Sequence, residues 1–152
     1  MYNVSQIYKN LIGENDRLFS IAITVEHEQG TIDVTDKDLA QGSFSYEASS
    51  QPGEDFTLGG VVAASIQFTL MGEYEGIDFL GAIVTPVVFL EDEDNPNWKE
   101  GVPLGRFYVD TQTREMGNVE LKALDGMIFL DKPYSESKLS YPATLLQIYT
   151  SI

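Results

Sequence analysis

Leu18-Phe19-Ser20-Ile21-Ala22-Ile23-Thr24-Val25 is the stretch whose reading decides the fold. Phe19, Ile21, Ile23 and Val25 fall on one side of an extended chain, and Leu18, Ser20, Ala22 and Thr24 fall on the other, because successive strand side chains point to opposite faces. The period is two, and the stretch predicts a strand. Upstream the spacing is different. Val4, Ile7, Tyr8, Leu11 and Ile12 recur at helical intervals, with Asn3 or Ser5 as candidate N-cap and Gly13 as a stop, so residues 2–16 predict a short amphipathic helix.

Downstream, β-branched and aromatic residues gather at 42–47, 61–71, 80–90, 106–111 and 119–123, separated by Gly, Pro, Asn and Asp. These punctuated runs predict about six antiparallel strands curled into a small barrel or split barrel. The expected core takes Ile21, Ile23, Val25, Phe44, Ile66, Phe68, Leu70, Ile83, Val87, Phe89, Phe107, Val109 and Leu121. Gly42 and Gly105 lie inside strand-like runs, where bulges would bend the strands. Asp125 suits the cap of a helical turn through Met127, Ile128 and Leu130, and Pro142 suits the first turn of a helix through Leu145, Leu146 and Ile148. The division expected is an N-terminal helix or arm over 1–17, a β-barrel over 18–124 and a helical segment over 125–152. The last helix ends at Ile152 without a C-terminal signal, so an N-terminal piece of a longer polypeptide is expected.

A chain of 152 residues is one domain's worth, long enough to bury a core of its own without staples. It is 43% hydrophobic and 22% charged, as soluble globular proteins are. Cysteine is absent, which excludes disulfides, thiolate nucleophiles and sulfur-ligated metal sites. Nine basic residues stand against 24 acidic ones for a formal charge of -15. Nucleic-acid binding needs clustered Lys and Arg, and anionic membranes attract the same, so both partners are excluded. No apolar run approaches the roughly 18–20 residues of a helical membrane span, and the N-terminus lacks the pattern of a secretory signal.

Chemistry-bearing residues are few. His27, in Glu26-His27-Glu28, is the single histidine; with nothing at a distinctive spacing around it, a solvated loop histidine is preferred to a catalytic base. Glu91-Asp92-Glu93-Asp94 heads a polar loop running to Gly101 through Pro96 and Trp98. It lacks the alternation and terminal Glu of a calcium loop and is read as an exposed hairpin connection. Trp98 is either a binding anchor or an apolar lid over the barrel edge. A second distinctive loop covers 48–55. Gly59-Gly60, Gly72 and Gly76 precede no Lys-Ser/Thr and open no helix, so they are turn or bulge residues and not a phosphate loop. No catalytic, cofactor-binding or metal-binding residue is assigned.

Thr35-Asp36-Lys37-Asp38-Leu39 followed by Gln41-Gly42-Ser43-Phe44-Ser45, then Leu58-Gly59-Gly60-Val61-Val62-Ala63-Ala64, resembles a pattern in tail proteins of phages and prophages of Gram-positive bacteria. Pro103-Leu104-Gly105-Arg106-Phe107-Tyr108-Val109-Asp110 and Leu121-Lys122-Ala123-Leu124-Asp125-Gly126-Met127, running into Leu130-Asp131-Lys132-Pro133-Tyr134, look like later blocks of the same N-terminal domain. The order and approximate spacing hold from about residue 18 to 142, and no block is a catalytic signature. Within the blocks, Asp36 and Asp38 suit a turn ahead of a strand.

The resemblance implies a virion structural protein: the first barrel of a baseplate or tail-tip hub, tail-tube-like in fold, joining tube to tip. Its partners would be tail-tube and distal tail or baseplate proteins. The full-length parent would form a homotrimeric ring, assembled in the host cytoplasm and carried in the virion tail. Relatives continue into further domains. A charge of -15 suits a channel that DNA must traverse without binding. Two other readings fit the same residues: the non-catalytic front of a tail-associated peptidoglycan hydrolase, or a carbohydrate- or receptor-binding β module using Trp98 and Tyr74 as stacking surfaces.

Overall fold

A computed structural model describes residues 2–48, 63–72 and 74–130. The chain opens with α1 (Gln6–Leu11) and continues through β1 (Leu18–His27), β2 (Gly30–Thr35), β3 (Ser45–Glu47), β4 (Ser65–Leu70), β5 (Ile83–Glu91), β6 (Lys99–Pro103), β7 (Phe107–Glu115) and β8 (Asn118–Asp125), ending in a 3-10 turn at Gly126–Leu130. Val61 and Val62, expected in the strand that becomes β4, lie outside the described residues, as do the 49–55 part of the second loop, Gly59-Gly60 and the helix expected after Pro142.

Helix α1 is shorter than the spacing suggested. Ser5, and not Asn3, is the cap: its Oγ accepts the Tyr8 N–H at 3.1 Å. The helix closes at Ile12, where Gly13 N–H donates to Asn10 O. None of its residues is buried, and a single turn or two without an apolar anchorage does not propagate. It is tethered to the sheet by the Ser5 N–H donating to Glu100 on β6 at 2.8 Å.

The eight strands form one antiparallel sheet in the order β2-β1-β5-β7-β8-β4-β3, with β6 also paired to β5. Its two halves meet at a narrow seam, because β5 and β7 share only the pairs Ile83–Tyr108 and Val84–Phe107. Beyond Val84 the same edge of β5 is taken up by β6, from Val87–Pro103 to Glu91–Lys99. Pro86 sits at this fork. A proline removes a ladder donor and is tolerated where no partner needs it; here its carbonyl, which points to the forked side, accepts Leu104 N–H at 3.0 Å from the β6–β7 link.

The ladder does not close continuously, but the chain itself ties the two edges. After β2, residues 36–43 cross to β4: Leu39 bridges Leu70, Ala40 N–H donates to Thr69 O, and Met71 N–H donates to Asp38 O. The sheet thereby wraps around one core, in which Ile23, Val25, Val34, Ile66, Phe68, Leu70, Phe79, Val84, Phe107, Val109, Val119 and Leu121 are all buried. This is a split barrel, as the strand pattern predicted.

Four expectations are corrected. Strand β2 is additional to the expected strands, and β6 takes up residues 99–101 of the expected 91–101 loop; Gly30–Thr35 and Lys99–Pro103 carry few apolar residues and sit at an edge and on a fork. On β5 the register is the opposite of the expected one: Val84, Pro86 and Leu90 are buried, whereas Ile83, Val87 and Phe89 are half-buried on the outer face. Phe44 and Ile21 are likewise only half-buried, packed at the margin of the core. Gly42 and Gly105 are not strand bulges; both have positive φ, 71° and 126°, in the links before β3 and β7. The bulge is at Asp110, where β7 shifts register against β8 between Val109 and Thr111.

Candidate functional site

The bulge reorganises everything beyond it. Past Asp110, Gln112 stands opposite Leu121 and Arg114 opposite Val119, which places two long polar side chains on the inner face of the sheet. Both reach the 71–82 connection. Gln112 Oε1 accepts the Phe79 N–H at 2.7 Å, and the Arg114 guanidinium donates to Tyr74 O at 2.8 Å and to Ile77 O. The connection is thereby pressed over the barrel mouth, with Phe79 fully buried and edge-on to Tyr74 at 6.1 Å between ring centroids. Gly72 and Gly76 make its turns with φ of 134° and 79°.

His27 is the last residue of β1 and is half-buried, not a solvated loop residue. Its ring lies 5.6 Å from that of Phe79, and its Nδ1 accepts the Gln29 N–H at 3.3 Å in the β1–β2 turn. The Nδ1 bond fixes the ring within its own turn, tilted against Phe79.

Asp36 and Asp38 stand in the turn that ends β2 and leads to the Leu39–Leu70 bridge and on to β3. The Asp36 carboxylate accepts the Ile21 N–H at 3.0 and 3.2 Å, one residue beyond the last β1–β2 pair, and so finishes the ladder. Asp38 Oδ2 accepts the Thr35 N–H at 2.9 Å and its hydroxyl at 2.8 Å. Those two bonds hold the Asp38 carboxyl below the usual range, slight desolvation opposes them, and Lys37 assists. Tyr74 has its phenol pushed up by burial first and by the negative charge of Asp38 second.

The acidic residues Glu91, Asp92, Glu93 and Asp94 close the β5–β6 hairpin, and with Glu14, Asp16 and Arg17 they line a shallow groove of about 220 Å³. Among the described residues, no three His, Asp or Glu side chains are grouped to hold a metal ion. Trp98 is half-buried at the foot of β6, its N–H donating to Asn95 O at 2.9 Å. Tyr74 packs against the core beside Phe79, in the 71–82 connection.

On the outer surface, two adjoining grooves of about 380 and 200 Å³ run along β4, β7 and β8, lined by Gln67, Thr69, Thr113, Glu120 and Lys122 among others. They lead to the β7–β8 hairpin tip, where Met116 is 97% exposed. Nothing in the sequence reading singled out this tip. The signal present was Met116-Gly117 between two β-branched runs, a two-residue hairpin connection without the usual Asn or Asp.

No protein-family model matches the chain, and no curated protein does. Among solved structures, a chain from the virion of a native gene transfer agent particle is similar in fold, with a TM-score of 0.53 and 14% identity. The match covers 85% of this chain and 47% of that one, so this chain spans about half the length of the chain it matches. At that identity the likeness is one of fold.

Proposed function

We propose that this chain is a structural component of a phage-type particle and forms the first barrel of a hub joining tail tube to tail tip. The observation that carries the reading is the fold likeness to a virion chain across 85% of these residues. The sequence blocks support it by pointing to the same kind of particle independently of that comparison. So do the side chains of the barrel mouth, where Gln112 and Arg114 are spent on holding backbone.

In this role the protein has no catalytic step. It presents surfaces to tail-tube and distal tail proteins, and three copies of the full-length parent enclose a path for DNA. A net charge of -15 keeps that path from retaining phosphates. Antibodies against this chain, applied to particles purified from a producing strain, test the reading by immunogold electron microscopy. Label at the distal end of the tail is the expected result; a chain absent from particles, or confined to the capsid, would overturn it.

A further inference from the structure

The β7–β8 hairpin tip combines two features that conflict energetically. Met116 and Gly117 have φ of 49° and 84° between the paired residues Glu115 and Asn118, which makes a type I′ turn. The first position of that turn favours Asn, Asp or Gly, because an L side chain with a Cβ is strained at positive φ. Met116 is the one non-glycine residue with positive φ among the described residues. Its side chain gains nothing in return, being 97% exposed. Single exposed apolar residues are ordinary, and Leu80 and Tyr2 are examples at 58% and 57%. Met116 differs in occupying a strained position that a polar residue would relax, and such strain concentrates at functional sites.

The tip is also held firmly from behind. Val119 and Leu121 are buried beneath it, and Arg114 is fixed by two carbonyls. A flexible, polarisable thioether on a rigid support is suited to filling an apolar socket. Beside it the outer groove offers Glu115 and Glu120 with Thr69, Thr113 and Asn118.

We propose that Met116 is an anchor that inserts into an apolar socket on a different protein, whose rim carries Lys or Arg facing Glu115 and Glu120. A second copy meeting this one tip to tip would set Glu115 and Glu120 against the same two acids, so the basic rim belongs to a different protein. The inference rests on the hub reading, which makes that partner another tail protein of the same particle.

The test uses the full chain with each purified neighbouring tail protein, and the variants Met116→Asn and Met116→Leu. Relaxing the turn should raise the Tm of Met116→Asn by about 3 °C, while its Kd for the partner weakens at least about tenfold, as loss of an interface anchor does. Met116→Leu should bind within about threefold of the parent chain and show no rise in Tm. Unchanged binding by Met116→Asn, or a lowered Tm, would overturn the anchor and leave the hub reading standing. Failure of every tail protein to bind the parent chain would overturn both. Self-association of the chain alone that Met116→Asn abolishes would make the occupant a second copy and overturn the assignment of the partner.

Discussion

Phe89 lies across Gly101 on the outer face of the β5–β6 pair, so close that a Cβ at position 101 would stand 2.6 Å from Phe89 Cε1. The same Cβ would meet Val87 Cγ1 at 2.8 Å, and Lys99 Nζ rests 4.8 Å from the centre of the Phe89 ring. Glycine is required here by space and not by backbone conformation.

Gly101→Ala should therefore destabilise the protein, although Ala in a strand normally gains over Gly. Overpacking costs about 1–3 kcal/mol, against an entropic gain of about 0.5–1 kcal/mol. Chemical denaturation should show a net loss of about 1 kcal/mol, and the double variant Gly101→Ala with Phe89→Leu should recover part of it.

Phe68→Ala tests the core directly. Phe68 pairs with Leu121 across β4 and β8, and both side chains are fully buried. A cavity of that size costs about 3–5 kcal/mol, a large share of the roughly 5–15 kcal/mol that holds a domain folded. Urea unfolding should show the midpoint falling steeply, with Phe68→Leu retaining most of the stability.

Arg114→Ala should loosen the barrel mouth without melting the barrel. It removes the donors that hold Tyr74 O and Ile77 O, while Gln112 keeps the Phe79 N–H. Hydrogen exchange is expected to accelerate across residues 74–79 and to stay slow in β1, β4 and β8. Equal acceleration everywhere would show that the guanidinium supports global stability instead.

Acid should weaken the β2 end through Asp38. The Asp38 carboxyl is held below its ordinary 3.8 by Thr35, so its contribution is complete above the unfolded value and disappears as pH falls through the lowered folded one. Asp38→Asn should be less stable than the parent near neutral pH, and the difference should vanish in acid. Tyr74 acts with the opposite sign: its phenol is raised above 10.0, so its contribution is present below that value and is lost as pH rises through the raised one. Denaturation curves for both variants, Asp38→Asn and Tyr74→Phe, across the pH range check the two windows.

The period-two alternation at Ile21, Ile23 and Val25 was enough to identify β structure, because only one face of β1 is fully buried and the other carries Ser20 and Thr24. Ser5 and Asp125 were legible as caps for a local reason: each bonds an N–H two or three residues ahead, Tyr8 and Met127. Met116 was not legible as a site, since its exposure and positive φ are properties of the folded hairpin.

The sequence by itself determined the class of molecule: composition set a chain of charge -15 without cysteine, and period-two alternation made it mainly β, with a helical start whose cap, Asn3 or Ser5, the fold then decided. Tertiary structure alone decided the inside of β5, since Ile83, Val84, Val87, Val88, Phe89 and Leu90 are apolar on both faces and no periodicity can choose between them. Pairing chose: Val25 opposite Val84 and the fork at Pro86 put Val84 and Leu90 inside and left Phe89 to lie over Gly101. A one-residue slip turns every side chain of a strand over, and the contacts that forbid the slip come from residues far away in the chain.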